Sequence, residues 1–205
     1  KDAMLNFKGA ENPEKRHTYL QIIQAQRKQL SGLVEQILSM SMEQRKNFRL
    51  NYEEIDLKPM LETLIRQHQL KADKPMDCHL AMMDNTTIYA DRTHLYNMIS
   101  NLIDNAVKSG GSKVDVSGRL ISHSIYRIAV SDNGRGIPPE DIERITEAFY
   151  MVDKSRSRSE HGAGLGLALV SRIAKLHDTK IHYESESGKG TKVYFDMKAE
   201  ALDDK

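Results

Sequence analysis

Residues 101–108 place polar side chains at the edge of an apolar helical stripe, and this feature limits the possible folds most strongly. Asn101, Asn105 and Lys108 are spaced by four and then three residues, so they share one face of a helix. Carboxamide oxygens suit Mg²⁺, which bridges to phosphate oxygens, and a lysine can neutralise those phosphates. The stretch therefore indicates either a nucleotide site or the water-facing flank of an amphipathic helix. The neighbouring stripe, which would pack on a sheet, consists of Leu95, Met98, Leu102 and Ala106.

Composition excludes several classes of partner. Lys and Arg total 30 against 29 Asp and Glu in 205 residues, so no basic excess favours nucleic acid or direct contact with an anionic membrane. Cys78 is the only cysteine, which excludes an internal disulfide and is interpreted as a strand residue. No apolar run approaches the roughly 18 residues that a membrane span requires. We therefore expect a soluble chain in which any anion site is local.

A long helix is predicted before residue 47. Asn12 and Pro13 form a typical helix start, and the helix can extend to about Arg45, a length of about 30 residues or roughly 45 Å. A single apolar seam on so long a helix needs partner helices, which predicts a hairpin or bundle; the alternative is a helix packed on its own domain. The heptad seam comprises Leu20, Ile23, Arg27, Leu30, Val34 and Ile37.

Alternating strands and helices are predicted after this point. In chain order they are a strand in 47–57, a helix over 58–71, strands over 77–82 and 87–90, a helix capped by Asp91 and ended by Gly110 and Gly111, strands from 114 to 121 and from 124 to 131, a short helix over 139–148, a glycine-opened helix, and closing strands over 181–184 and 192–197. Tyr126, Ile128 and Val130 alternate onto one strand face, and Asp132 is next on it. Asp132 would therefore point between sheet and helices, before a glycine-punctuated turn.

The run from Phe149 to residue 163 is polar and basic. It is either a solvated loop or a mobile lid over an anion. Gly162, Gly164 and Gly166 follow and would leave backbone N–H groups free for phosphate oxygens at the start of a helix.

Four boxes stand in order, at 101–108, 132–136, 162–167 and 188–191, with Phe149 and Tyr150 between them. Together they resemble the catalytic and ATP-binding domain of sensor histidine kinases in two-component systems, which has the Bergerat (GHKL) fold. The resemblance implies an α+β fold, a two-layer α/β sandwich over 47–198. Residues 1–46 resemble the second helix of the family's dimerisation and phosphoacceptor hairpin, with the acceptor helix expected before Lys1. Residues 199–205 are expected to form a polar tail.

The resemblance also implies roles for particular residues. Asn105 would be the principal Mg²⁺ ligand, Asn101 would assist at the nucleotide, and Lys108 would meet the phosphates of ATP. Asp132 would accept a hydrogen bond from the adenine amino group, with Gly136 against the base. The remaining implied binding residues are Gly134, Ile137, Phe149, Tyr150, Lys154, Arg156, Arg158, Gly162, Gly164, Leu165, Gly166, Leu167 and Thr191.

Asn101 indicates the type of chemistry. Related chaperone, gyrase and mismatch-repair ATPases carry a glutamate there that activates water, which an amide cannot do. The resemblance therefore implies phosphoryl transfer to a protein histidine, with relay to a response-regulator receiver domain, by a homodimeric parent whose cytoplasmic portion includes this chain. The alternatives are a degenerate docking module and an anti-sigma-type serine kinase.

Two departures from the family pattern affect these expectations. None of the eight histidines has the acceptor context, so this chain is not expected to phosphorylate itself; His17 and His177 are interpreted as surface or packing residues. Ser109 stands where an aromatic residue is common, and Asp178 with Thr179 replaces a common glycine pair.

Overall fold

The computed structural model describes residues 49–71, 76–82, 87–152 and 164–199. Its strands are β1 (Tyr52–Asp56), β2 (Asp77–Met82), β3 (Thr87–Asp91), β4 (Lys113–Ser122), β5 (Ile125–Asp132), β6 (His182–Glu186) and β7 (Gly190–Lys198). Its α-helices are α1 (Leu57–Lys71), α2 (Arg92–Lys108) and α3 (Gly166–Leu176), and a 3-10 helix spans Pro139–Asp141. The long helix predicted before residue 47 lies outside the described residues. None of the described helices is long and apolar enough to cross a membrane.

The main sheet has five strands in the order β2-β4-β5-β7-β6. Only β2 and β4 run parallel, and the other neighbours are antiparallel. A smaller antiparallel pair, β1 with β3, lies beside it. This mixed sheet confirms the predicted α+β class.

The core fills the space between the main sheet and the three helices. The stripe predicted on α2 is buried, and Ile99 and Ile103 extend it. On β5, Tyr126, Ile128 and Val130 are buried, which confirms the predicted inward face. Because the helices contribute to a single layer over this face, the structure has two layers.

The start of α2 and the end of α3 are joined by a buried polar cluster. The carboxylate of Asp91 accepts from the backbone N–H of His94 (3.0 Å), which confirms Asp91 as the N-cap. The backbone N–H of Asp91 donates to Nε2 of His177 (3.2 Å), so the single ring proton lies on Nδ1 and is donated to the Ile173 carbonyl (2.9 Å). Burial lowers the pKa of His177, which confirms its interpretation as a packing residue.

The predicted helix over 139–148 is wrong. A three-residue 3-10 helix is followed by turns, with N–H donations from Arg144 to Asp141 (2.9 Å) and from Glu147 to Arg144 (2.8 Å). Ile145 is the buried apolar residue of this segment, so no apolar stripe exists to hold an α-helix against the core.

Several predicted boundaries also shift. The first strand covers only 52–56 of the predicted range 47–57, of which residues 47 and 48 lie outside the described part. The helix α2 ends at Lys108 with Ser109 as its C-cap, and Gly110 follows with φ of +88°, which confirms that the glycines end the helix. Ala199, assigned to the tail, is buried, bridges Ile88 and donates to the Ser124 carbonyl (2.9 Å). Asp178 has a positive φ of 54°, which explains why glycine is common at this position.

Candidate functional site

The N-terminus of α3 lies against the polar face of α2. A Cβ atom placed on Gly166 would be 3.0 Å from Oδ1 of Asn101 and 3.9 Å from Nδ2 of Asn105. Asn101 donates its Nδ2 to the Asn97 carbonyl (2.8 Å), which turns its oxygen towards α3. The fold thus brings together Asn101, Asn105 and Gly166, as predicted.

The first turn of α3 offers backbone donors that no helical hydrogen bond uses. Its first α-helical bond runs from the N–H of Leu169 to the carbonyl of Leu165 (3.0 Å), and Leu165 supplies no side-chain cap. The N–H groups of Gly166, Leu167 and Ala168 therefore have no partner within the helix. Together with the helix dipole, these groups favour an anion at this end of α3.

The side-chain amide of Asn105 is incompletely hydrogen-bonded within the described residues. Its Nδ2 is buried and has no hydrogen-bond partner among the residues that the structure describes. Such an atom costs about 1–3 kcal/mol unless a ligand meets it. Rotating the carboxamide about its last bond exchanges oxygen and nitrogen, so the same position can offer an oxygen ligand to a cation. The site therefore fits a metal-bound nucleotide chemically.

Asp104 lies between the two asparagines in sequence but faces α1. Nδ1 of His68 is 2.9 Å from Oδ1 of Asp104, and Nε2 of His68 is 3.1 Å from the Ser100 hydroxyl. Burial alone would raise the pKa of Asp104, but the His68 hydrogen bond and the positive charge of Lys108 hold it below its ordinary value. Lys108 itself is exposed on the last turn of α2, so its amine is accessible to anions.

Asp132 ends β5 at the floor of the site. Its Oδ1 accepts from the Gly134 N–H (2.8 Å), and further hydrogen bonds come from the Ser109 hydroxyl and the Thr191 N–H. Burial nevertheless raises the pKa of Asp132 above its ordinary value. Gly190, with φ of +104°, passes so close that a Cβ would lie 2.0 Å from the Asp132 carbonyl oxygen. A side chain at Gly190 would therefore displace the backbone of Asp132, whereas a Cβ at Gly134 would lie 1.9 Å from the Ser109 hydroxyl oxygen.

The loop after Asp132 is pinned to the β6–β7 turn. Gly136 has φ of +69°, and a Cβ there would lie 2.1 Å from the Glu186 carbonyl oxygen. The next residue, Ile137, donates its N–H to the Ser185 hydroxyl (2.8 Å). Thr191, the second residue of β7, pairs directly with Asp132, and its hydroxyl is 2.9 Å from that of Ser185.

Sequence reasoning did not select Ser185 or Ser109 as site residues. On β6, exposed residues alternate with half-buried Tyr183 and Ser185, and this alternation was the available signal for Ser185. For Ser109 the signal was its departure from an aromatic, but the sequence did not reveal its contact with Asp132. His68, which holds Asp104, gave no signal at all because its partner lies on another helix.

Phe149 and Tyr150 precede the segment 153–163 in sequence and lie beside Gly164, where the described chain resumes. Phe149 is 66% exposed, has φ of 68°, and donates its N–H to the Gly164 carbonyl (2.9 Å). The Tyr150 hydroxyl bonds to Asp141, and the Arg144 guanidinium lies 4.3 Å from the Tyr150 ring centre. The hydrogen bond from Phe149 to Gly164 therefore joins the described residues on the two sides of the basic segment. Its predicted residues Lys154, Arg156, Arg158 and Gly162 lie outside the described residues.

The fold is a two-layer α/β sandwich, and comparison with known proteins identifies its family. Residues 90–201 match the family described as histidine kinase-, DNA gyrase B-, and HSP90-like ATPase. The chain belongs to this family, which confirms the Bergerat-type fold.

The named relatives are sensor kinases. The sensor-like histidine kinase SenX3 of Mycobacterium tuberculosis is 35% identical over 173 residues, covering 83% of this chain and 42% of SenX3. The sensor protein kinase WalK of Staphylococcus haemolyticus is 26% identical over 190 residues, covering 91% of this chain and 31% of WalK. The chain therefore spans less than half the length of these relatives.

Solved structures agree on the fold. Full-length ShkA in complex with AMPPNP superposes with a TM-score of 0.77 at 27% identity, over 92% of this chain and 40% of ShkA. The Acinetobacter baumannii histidine kinase AdeS superposes with a TM-score of 0.71 at 23% identity, over 98% of this chain and 91% of AdeS, and shows the fold alone. The predicted likeness to sensor histidine kinases is confirmed.

Proposed function

We propose that this chain is the ATP-binding kinase domain of a two-component sensor histidine kinase. The observation that carries the proposal is the meeting of Asn101 and Asn105 with the uncapped N-terminus of α3. It brings amide oxygens and backbone N–H groups to one place, which suits a phosphate chain and its cation. The ShkA complex with AMPPNP supports ATP as the nucleotide.

The metal and phosphates would be held from α2 and α3. Asn105 would offer a carboxamide oxygen to Mg²⁺, with the amide turned so that this oxygen takes the position where Nδ2 has no partner among the described residues. Asn101 would assist from one turn earlier, and Lys108 would neutralise phosphate charge. The bound ion would supply further charge neutralisation. The N–H groups of the glycine-rich start of α3, with Gly162 and Gly164 before it, would donate to phosphate oxygens.

The base would lie over the end of β5. Asp132 would accept from the exocyclic amino group of adenine, because its carboxylate carries no proton to donate. Gly136 would let the base approach the backbone. The remaining pocket residues are proposed to be Gly134, Ile137, Phe149, Tyr150, Leu165, Leu167 and Thr191.

The reaction that suits these residues is phosphoryl transfer rather than hydrolysis. Asn101 cannot remove a proton from water, so the chain contributes positioning and charge neutralisation. In the transfer, the bond between the γ-phosphorus and the bridging oxygen breaks, and a bond from a histidine nitrogen to that phosphorus forms. Lys154, Arg156 and Arg158 are proposed to contact the outer phosphates.

The longer parent would supply the rest of the pathway. Its first hairpin helix would carry the acceptor histidine, and its dimer would present that helix to this domain. The phosphoryl group would then pass to an aspartate of a response-regulator receiver domain. We place this domain on the cytoplasmic side of a membrane-bound sensor, where ATP is present.

A transfer assay tests this function. The chain is incubated with ATP and Mg²⁺ together with the full-length parent in which Asn105 is replaced by alanine, so that only this chain can donate. Acid-labile phosphohistidine on the parent is the expected product. Asn97→Ala in the parent is the matched control for the Asn105 substitution and should leave the parent able to donate, since Asn97 lies on the same helix and contributes only its carbonyl to the site.

Other products would refute the proposal in distinct ways. ATP binding without any phosphohistidine in the unmutated full-length parent would identify a docking module. Acid-stable phosphoserine on a partner would identify a serine kinase.

A further inference from the structure

We propose that Ser185 makes the purine pocket selective for an amino group by fixing the direction of one hydroxyl hydrogen bond. Through that bond, Thr191 becomes an acceptor beside Asp132. Ser185 is thus a positioning residue for specificity, and it does not touch the nucleotide. The inference rests on the proposed function, because it concerns the same nucleotide pocket.

The Ser185 hydroxyl has three neighbours and only one proton. It accepts from the Ile137 N–H (2.8 Å), lies 3.0 Å from the Gly190 carbonyl oxygen, and lies 2.9 Å from Oγ1 of Thr191. A carbonyl oxygen can only accept, so the bond to Gly190 uses the Ser185 proton. The remaining bond must then use the proton of Thr191.

This assignment leaves Thr191 with lone pairs alone to offer. Its own proton is given to Ser185, so Oγ1 can accept but cannot donate elsewhere. Every hydrogen-bonding position of Ser185 that the structure describes is also used, since one bond is donated and two are accepted. Ser185 therefore fixes the orientation of the Thr191 hydroxyl proton.

Thr191 and Asp132 lie side by side. The two residues pair directly across β7 and β5, so their side chains project from the same face of the sheet. The ionised carboxylate of Asp132 can only accept hydrogen bonds, and it already accepts from the Gly134 N–H, the Ser109 hydroxyl and the Thr191 N–H. The floor of the pocket thus presents two adjacent acceptors.

Two acceptors select the edge of the purine. An exocyclic amino group donates two protons and meets this floor well, whereas a carbonyl oxygen at the same ring position is repelled by both groups. If Thr191 were free to turn, its hydroxyl could donate to that carbonyl. Ser185 prevents this, so selectivity depends on a residue that lies behind the contact surface.

The experiment compares ADP with inosine 5′-diphosphate, which carries a carbonyl where ADP carries the amino group. Dissociation constants are measured by calorimetry for the unmutated chain and for Ser185→Ala, Ser185→Thr and Ser187→Ala. Ser187 is the matched control, because it is exposed in the turn two residues away. Circular dichroism and urea unfolding establish that each variant is folded.

The expected change is in the ratio of the two affinities. The unmutated chain prefers ADP, and Ser185→Ala lowers that preference by about tenfold or more, chiefly because the inosine nucleotide binds more tightly. Ser185→Thr retains the hydroxyl and the preference, and Ser187→Ala leaves both affinities unchanged. Adding Thr191→Val to Ser185→Ala removes the gain for the inosine nucleotide, because the freed donor is gone.

Contrary results are equally clear. If Ser185→Ala weakens both nucleotides by the same factor, Ser185 has a merely structural role and the inference is overturned. If that variant does not fold, Thr191→Val alone decides, and an unchanged ADP preference overturns the inference. An unmutated, folded chain that binds neither nucleotide overturns the proposed function itself.

Discussion

Gly188 and Gly190 form a matched pair for testing how tightly β7 is held against Asp132. Both have positive φ, +81° and +104°, in the same turn. A Cβ on Gly188 meets nothing within 4 Å, whereas a Cβ on Gly190 would lie 2.0 Å from the Asp132 carbonyl oxygen and 2.9 Å from the Asn133 Cα. Alanine at either position therefore strains the backbone, but only at position 190 does it also clash.

The difference between the two variants isolates the clash. Backbone strain costs each variant about 1–2 kcal/mol, and the reduced freedom of the unfolded chain affects both alike. Overpacking adds about 1–3 kcal/mol for Gly190→Ala, because the neighbouring atoms belong to the backbone and cannot rotate away. We expect Gly190→Ala to be less stable than Gly188→Ala by about that amount.

Urea unfolding at 25 °C, followed by circular dichroism, measures this difference. ADP titration of the folded variants should show weaker binding for Gly190→Ala alone, because the clash displaces Asp132. Equal free energies of unfolding for the two variants would refute the close approach of β7 to Asp132.

Three further predictions follow from buried groups. Burial lowers the pKa of His177 below 6.5, so its contribution to the free energy of unfolding is present above about pH 6.5 and is lost as pH falls towards the lower pKa of the folded state. His177→Gln keeps a donor and an acceptor but does not titrate. Its urea midpoint should therefore fall less than that of the unmutated chain between about pH 7.5 and about pH 5.5. Burial raises the pKa of Asp132 above 3.8, so ADP affinity should begin to decline at a higher pH on acidification than it would with an ordinary aspartate. Asp132→Asn should bind ADP weakly and without that pH dependence. Calorimetry at several pH values measures both effects. Asn105→Leu removes an amide whose buried Nδ2 has no partner among the described residues, so it should raise the free energy of unfolding without nucleotide by about 1 kcal/mol in urea titrations while it abolishes Mg²⁺-dependent binding. A loss of stability would contradict this interpretation of Asn105.

Local patterns in the sequence were sufficient to predict most of the fold. The apolar stripe of α2, its cap at Asp91 and the alternation along β5 each depend on a repeat or a single neighbouring contact, and all three are confirmed. Asp132 was expected to face the helices for the same reason. Its position at the end of a buried alternation could be read without knowledge of the other strands.

Features that depend on contacts between distant segments could not be predicted. Ser185 meets Ile137 across 48 positions of the chain, and His68 meets Asp104 from another helix. The segment at 139–148 had a proline start and acidic first residues, typical of a helix, but its single buried residue, Ile145, did not favour one. Tertiary packing, rather than local preference, determined these contacts and the conformation of the segment at 139–148.

The most direct test of the account is a calorimetric titration of this chain with a non-hydrolysable ATP analogue, with and without Mg²⁺. Asn105→Ala and Asp132→Ala are compared with Asn97→Ala and Asp115→Ala, which change the same residue types without removing a side chain assigned to the nucleotide. The account predicts Mg²⁺-dependent binding by the unmutated chain and both controls, loss of the Mg²⁺ dependence in Asn105→Ala, and loss of binding in Asp132→Ala. A folded, unmutated chain that binds no nucleotide under either condition would contradict it.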